Sequence, residues 1–120
     1  MKTLSIVIPV YNEARTIETL LQKVQQAPVD GLQKEIIVVD DGSTDETKLR
    51  LQRSPYPIRL VAHPKNLGKG AAVRSGFRAA TGDILLIQDA DLEYDPNDYA
   101  ALVLPLLRGE ADAVMGSRFL

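Results

Sequence analysis

Glu35-Ile36-Ile37-Val38-Val39-Asp40-Asp41-Gly42-Ser43-Thr44-Asp45 is the stretch that decides the fold. Its apolar residues are consecutive rather than alternating, the pattern of a strand covered on both faces, as in a parallel sheet. It then breaks abruptly into carboxylates, a glycine and hydroxyls, the composition of a turn that starts a helix. Working outward, similar runs lie at residues 4–9, 58–62 and 84–87, with a shorter one at 113–115. Ile84-Leu85-Leu86-Ile87 is again continuous.

Helical patterns separate these runs. Asn12 is placed to cap a helix carrying Ala14, Ile17, Leu21 and Val24 at helical spacing, with Pro28 as its end. Ser43 and Glu46 have the spacing of a capping box, opening a second helix that stops before Ser54-Pro55. A third is expected over 68–80, with Gly82 as its stop. A fourth is expected after Asp95, with Pro96 at its first position and Tyr99, Leu102, Val103 and Leu106 on its apolar side; Pro105 shortens or kinks it. Strand and helix therefore alternate throughout. Right-handed crossovers turn that order into a doubly wound, mostly parallel α/β sheet with helices on both faces.

Composition bounds the function. The 120 residues suit one domain, and 45% hydrophobic with 25% charged residues is ordinary globular composition. The absence of cysteine excludes disulfides, thiolate metal sites and a thiol nucleophile. A formal net charge of −2 gives no field for nucleic acid, and no apolar run is long enough to span a membrane. The apolar start of the chain ends at Pro9-Val10-Tyr11-Asn12-Glu13 with no small-residue cleavage site, so it reads as a buried strand and not a leader. Charge is segregated: residues 64–82 hold Lys65, Lys69, Arg74 and Arg78 and no acid, whereas 83–98 hold Asp83, Asp89, Asp91, Glu93, Asp95 and Asp98 and no base.

Ligands of such sheets bind beyond the carboxyl ends of the strands, so the residues there carry the functional reading. Asp89-Ala90-Asp91 places two carboxylates one residue apart after a buried strand. Like charges that close call for a cation, and oxygen ligands suit Mg²⁺ or Mn²⁺, which complete their shell with phosphates. Glu93 is a third ligand or an exposed residue. Asp40 and Asp41 are placed to accept hydrogen bonds from a base or ribose, or to shape the turn. Asn66-Leu67-Gly68-Lys69-Gly70 leads into a helix N-terminus, which favours anions: either the loop contacts a diphosphate or Lys69 is a surface lysine of the turn. It follows the third strand and lacks the third glycine of a dinucleotide fingerprint, and no Walker A sequence occurs. His63, the single histidine, reads as a loop residue.

Ser5-Ile6-Val7-Ile8-Pro9-Val10-Tyr11-Asn12-Glu13, Val38 to Asp45, Asn66 to Gly70 and Asp89-Ala90-Asp91, in this order and spacing, resemble the family 2 glycosyltransferases with the A-type nucleotide-sugar fold. Residues 88–96 and the closing Gly116-Ser117-Arg118-Phe119 resemble the subgroup that glycosylates polyprenyl phosphates. The resemblance implies that Pro9, Tyr11 and Glu13 line a nucleotide pocket, that Asp40 holds the base, and that Asp41 supports the loop or the ribose. Lys69 and Ala90 would then sit near the nucleotide. Asp89 would approach ribose and metal, Asp91 would bind the divalent ion at the catalytic centre with Glu93 alongside, and Arg118 would approach the phosphates. The implied chemistry is metal-dependent, inverting transfer from a UDP- or GDP-linked sugar to an acceptor, a polyprenyl phosphate being the candidate. The implied location is the cytoplasm, or for the full-length protein the inner face of the membrane.

Catalytic domains of that family run to about twice this length, so residues 1–120 are expected to be the donor-binding part, ending before the acceptor half. An open sheet edge, and self-association through it, are expected there. A nucleotide-sugar binding module without chemistry is the alternative. A nucleotidyltransferase would want a glycine-rich basic loop after the first strand, where Tyr11-Asn12-Glu13 stands. A phosphoacceptor domain would want its acidic pair there.

Overall fold

The computed structural model describes residues 2–27, 29, 31–88 and 113–115. The elements are β1 (Lys2–Val10), α1 (Ile17–Gln26), β2 (Leu32–Asp40), α2 (Thr47–Gln52), β3 (Arg59–Ala62), α3 (Lys69–Ala79), β4 (Ile84–Ile87) and β5 (Ala113–Met115). They form one sheet in the order β3-β2-β1-β4-β5, and every pairing is parallel. The fourth helix expected after Asp95 lies outside the described residues.

β1 and β2 run in register over their full lengths, from Lys2 opposite Leu32 to Val10 opposite Asp40. β2 thus begins before Glu35, because pairing with the central strand extends back through Lys34, Gln33 and Leu32 despite the polar character of Gln33 and Lys34. Alternation along β1 divides the core. Leu4, Ile6, Ile8 and Val10 join Ile36 and Val38 of β2 beneath Ile17, Leu20, Leu21 and Val24 of α1 and Leu51 of α2. Val7, Ile37 and Val39 point the other way, against Ala72 and Phe77 of α3. Fully burying each such side chain contributes roughly 1.5–3 kcal/mol.

Several helix ends differ from expectation, each for a local reason. α1 starts at Ile17 with Thr16 as its N-cap, because Asn12 has a left-handed backbone (φ 52°) and its side chain bonds elsewhere. Ala27 is extended, as a residue before proline must be, and ends the helix. The Ser43–Glu46 capping box does not form. Ser43 Oγ accepts the Asn12 amide at 2.9 Å, Glu46 pairs with Arg50 at 3.3 Å, and α2 begins only at Thr47. α3 ends where Ala80 turns extended, so Gly82 is not its stop. Gly82 is instead needed for close packing: a Cβ there would lie 2.4 Å from Ser5 Oγ. That hydroxyl accepts the Gly82 amide and donates to Glu35, whose carboxylate also holds Thr81. The turn between α3 and β4 is thereby tied to β1 and β2.

Gly76 is where α3 meets β1, and a Cβ there would come 2.3 Å from Val7 Cγ1. Gly76→Ala gains about 1 kcal/mol of helix propensity but incurs about 1–3 kcal/mol of overpacking against an immobile core. A net loss is expected, lowering the melting temperature by several degrees. Gly70→Ala, which would meet only Arg74 Nη1 at 3.4 Å, is expected to melt at or above wild type. Thermal unfolding followed by circular dichroism checks both; a Gly76→Ala variant as stable as wild type would refute the close approach.

Candidate functional site

Strand order locates the site. The chain moves outward from β1 to β2 to β3, then crosses back to place β4 on the other side of β1. The switch point lies between β1 and β4, and open α/β sheets bind ligands in the crevice at that point. The ladders carry on just past the strand ends. Val10 O accepts the Asp41 amide at 2.8 Å, Asp40 O the His63 amide at 2.9 Å, and Val7 O the Gln88 amide at 2.9 Å. The chain leaves β1, β2, β3 and β4 along one edge.

The loops on that edge are tied to one another. Asn12 Oδ1 accepts the Thr44 amide at 2.8 Å and the Asp45 amide at 3.3 Å, while its Nδ2 donates to Thr44 Oγ1. The Glu13 amide donates to Oγ1 of the fully buried Thr47 at 2.9 Å. Asp45 Oδ1 accepts both the Thr47 amide and its hydroxyl. This latch fixes the segment after β1 against the segment after β2. It leaves the Tyr11 side chain 44% exposed over the edge. Glu13 is half-buried, and its Oε2 accepts Thr16 Oγ1 at 3.1 Å. Pro9 lies in β1 two residues beyond Val7, where pairing with β4 stops.

Asp40 and Asp41 are both buried, at 1% and 3% exposure. Asp40 Oδ1 accepts the Ser43 amide at 3.1 Å, so a ligand's donor would have to approach Oδ2. Asp41 is turned to the loop after β3. Its Oδ1 accepts His63 Nδ1 at 2.8 Å and the Leu67 amide at 2.9 Å; its Oδ2 accepts the Gly68 amide at 2.9 Å. Burial alone would raise this carboxyl, but the hydrogen bonds from His63, Leu67 and Gly68 outweigh it and hold the group below the ordinary aspartate range. Gly42 allows the two loops to touch: it has φ 74°, and a Cβ would lie 2.3 Å from the Lys65 carbonyl carbon. Lys69 follows as the exposed first residue of α3.

Asp89, Ala90, Asp91, Glu93 and Arg118 lie outside the described residues. Among the described residues no cluster of His, Cys, Asp or Glu could hold a metal ion, so a divalent ion here would depend on those acids after β4. The structure brings together Tyr11, Glu13, Asp40, Asp41 and the turn leading to Lys69. It adds Asn12, which reads from sequence as a helix cap, and His63, which reads as a loop residue, together with Thr47 and Ser75, for which the sequence carries no signal. The available signal for His63 was its place directly after β3. Because Asp40 stands opposite Ala62, one step further puts His63 beside Asp41. A groove of about 460 Å³ involving Gln25, Lys34 and Arg59 lies at the opposite, amino ends of β2 and β3. Its lysine is already taken up by the carbonyls of Val24, Gln25 and Ala27, closing the end of α1.

Two outcomes follow. Asp41, Glu35 and Asp45 all titrate lower in the folded chain than ordinary carboxylates. The unfolded chain then binds more protons as pH falls through about 4, so their stabilisation is complete above about pH 5 and is lost on acidification. Melting temperature against pH should show Asp41→Asn below wild type at neutral pH, the gap closing toward about pH 3; a constant gap would show that the charge contributes nothing. Asn12→Gly keeps the left-handed backbone and removes the fork. It should cost about 1–3 kcal/mol and speed hydrogen exchange at the Thr44 and Asp45 amides, whereas unchanged exchange would rule out the latch.

The family model described as glycosyl transferase family 2 matches residues 5–120. A dolichol-phosphate mannosyltransferase of Pyrococcus furiosus is 38% identical over 117 residues, covering 96% of this chain and 33% of that protein. A dodecaprenyl-phosphate galacturonate synthase of Rhizobium johnstonii is 36% identical over 120 residues, covering 96% of this chain and 36% of that protein. The crystal structure of glucosyl-3-phosphoglycerate synthase from Mycobacterium tuberculosis, in complex with Mn²⁺, UDP and glucosyl-3-phosphoglycerate, superposes with a TM-score of 0.74 at 38% identity, over 91% of this chain and 41% of that one. The chain spans about a third of the length of these curated relatives. With a family match across nearly its whole length and the nucleotide-sugar fold of its structural neighbours, the chain belongs to the family 2 glycosyltransferases.

Proposed function

We propose that residues 1–120 form the donor-binding part of a glycosyltransferase and hold a nucleoside-diphosphate sugar at the switch point between β1 and β4. The observation that carries this reading is the mutual locking of the loops after β1, β2 and β3 on the edge where β4 runs into Asp89-Ala90-Asp91. Tyr11, with Pro9 and Glu13, lines the base side, and Asp40 accepts a donor from the base. Asp41 holds the turn that presents Lys69 to the nucleotide. Asp89 and Ala90 adjoin the ribose, and Arg118 approaches the phosphates.

Asp91, with Asp89 and Glu93, would hold the divalent ion, Mn²⁺ or Mg²⁺, which when bound stabilises charge on the departing diphosphate. In the whole protein an acceptor oxygen attacks the anomeric carbon from the face opposite the diphosphate. The bond to the nucleotide breaks and the sugar configuration inverts. The names of the mannosyltransferase and galacturonate synthase relatives support a polyprenyl phosphate as acceptor. The complexes of the mycobacterial synthase support UDP over GDP. Such an acceptor would bring the whole protein to the inner face of a membrane, although among the described residues no helix is long and apolar enough to cross one. A binding module without catalysis would share the same donor site and differ only in turnover.

Calorimetry with UDP and with GDP, each with and without Mn²⁺, tests the donor reading. UDP is expected to bind in a metal-dependent manner, and Asp91→Ala to lose that dependence while melting as wild type does. Asp40→Ala should weaken UDP binding without altering its response to metal. Equal affinity of wild type and Asp91→Ala in Mn²⁺ would overturn the metal assignment.

A further inference from the structure

Beyond the groups assigned to the donor, the structure contains an unbroken line of side-chain hydrogen bonds from α3 to the carboxyl end of β2. Arg78 Nη2 lies 3.4 Å from Ser75 Oγ, Ser75 Oγ 2.7 Å from His63 Nε2, and His63 Nδ1 2.8 Å from Asp41 Oδ1. Asp41 then receives the amides of Leu67 and Gly68. The chemistry of each group sets the direction of the line. A guanidinium only donates, so Ser75 Oγ accepts from Arg78, which leaves its own proton available to Nε2. A carboxylate only accepts, so Nδ1 carries the ring proton. The neutral imidazole that satisfies both ends has its proton on Nδ1, the opposite of the Nε2–H form that histidine favours in water.

We propose that His63 is a positioning residue for the donor loop. Asp41 and Ser75 hold its ring as the Nδ1–H tautomer, and it fixes the Asp41 carboxylate that orients the Leu67–Gly68 turn ahead of Lys69. The order Asp–His–Ser is the one by which a hydrolase orients an imidazole. Here the serine lies inside α3 and its oxygen already serves Arg78, so the line transmits position and performs no nucleophilic chemistry. The side chains of Asp41 and His63 are 5% and 10% exposed, so water cannot readily replace the bond between them. Without the ring, a buried carboxylate keeps its two amides but loses the contact that fixes its rotation. Gly68, at φ 99°, has no side chain to hold the turn by itself. The effect on donor binding rests on the function proposed above; the tautomer and the ordering of the turn do not.

The chain has a single histidine, so a long-range ¹H–¹⁵N spectrum of the imidazole is unambiguous. At about pH 8, above the ordinary histidine range, wild type should show a protonated Nδ1 and an unprotonated Nε2. Ser75→Ala should shift the ring toward the Nε2–H form. His63→Ala should speed exchange of the Leu67 and Gly68 amides and weaken UDP binding in Mn²⁺, each by about tenfold, the scale of a buried acceptor losing one donor. His63→Asn, whose amide can replace Nδ1–H, should restore both; His63→Gln, which reaches toward Ser75 instead, should not. A ring protonated on Nε2 in wild type, whether alone or together with Nδ1, would overturn the proposal, as would unchanged Leu67 and Gly68 exchange in His63→Ala. Should His63→Ala fail to fold, the wild-type tautomer and the Ser75→Ala shift still decide the matter. Intact tautomer and exchange effects with no UDP binding to wild type would reject the donor reading while leaving the positioning role standing.

Discussion

The parallel ladder between β1 and β2 sets the level of everything that follows. Nine residues of each strand pair without a bulge, from Lys2 opposite Leu32 to Val10 opposite Asp40. A shift of one residue would send every side chain of β2 to the other face. It would also separate Tyr11 from Asp41 along the strand axis. In the observed register Val10 O receives the Asp41 amide, so the two loops leave the sheet side by side. Asn12 and Thr47 can then join them at ordinary hydrogen-bond distances. The core enforces the register, because Ile6 and Ile8 bury against α1 while Val7 buries against α3.

Burial also explains why the acidic motif after β2 behaves as it does. An ionised carboxylate out of water must be hydrogen-bonded to remain charged. Asp41 meets that requirement with His63 and two backbone amides, which lowers its pKa and organises the loop after β3 around it. Asp40, equally buried, is bonded through one oxygen to the Ser43 amide. The adjacent carboxylates therefore divide into one bonded through both oxygens to the loop after β3 and one bonded through Oδ1 to its own turn. The same logic applies at the other end of the sheet, where Glu35 is held by Ser5 and Thr81 and closes the turn between α3 and β4.

Most of the secondary structure was legible because it rests on short-range pattern. The continuous runs Ile36-Ile37-Val38-Val39 and Ile84-Leu85-Leu86-Ile87 announce strands buried on both sides, and both lie in the sheet. Where local signals competed, they were less decisive. Ser43, Glu46 and Asn12 all have side chains suited to helix caps, yet each formed a different bond once a second loop or an arginine came within reach. Gly82 reads as a helix stop, but its necessity is the Ser5 hydroxyl against its backbone. The Glu46–Arg50 pair is local, four residues apart, but the Asn12–Ser43 and Ser5–Gly82 contacts join residues 31 and 77 positions apart, which no local pattern reports.

The sequence by itself determined the alternation of strand and helix, the polar segments that follow each strand, and the family. These are properties of composition and spacing along the chain. Tertiary structure decided the strand order β3-β2-β1-β4-β5, and with it the switch point between β1 and β4 on the edge that carries the candidate site. It also decided that His63 stands beside Asp41 rather than in solvent, because the register of β2 and β3 pairs Asp40 with Ala62. Pairing order and register are long-range choices governed by which apolar faces can be buried together. That is a property of the packed core, and sequence distance carries no record of it.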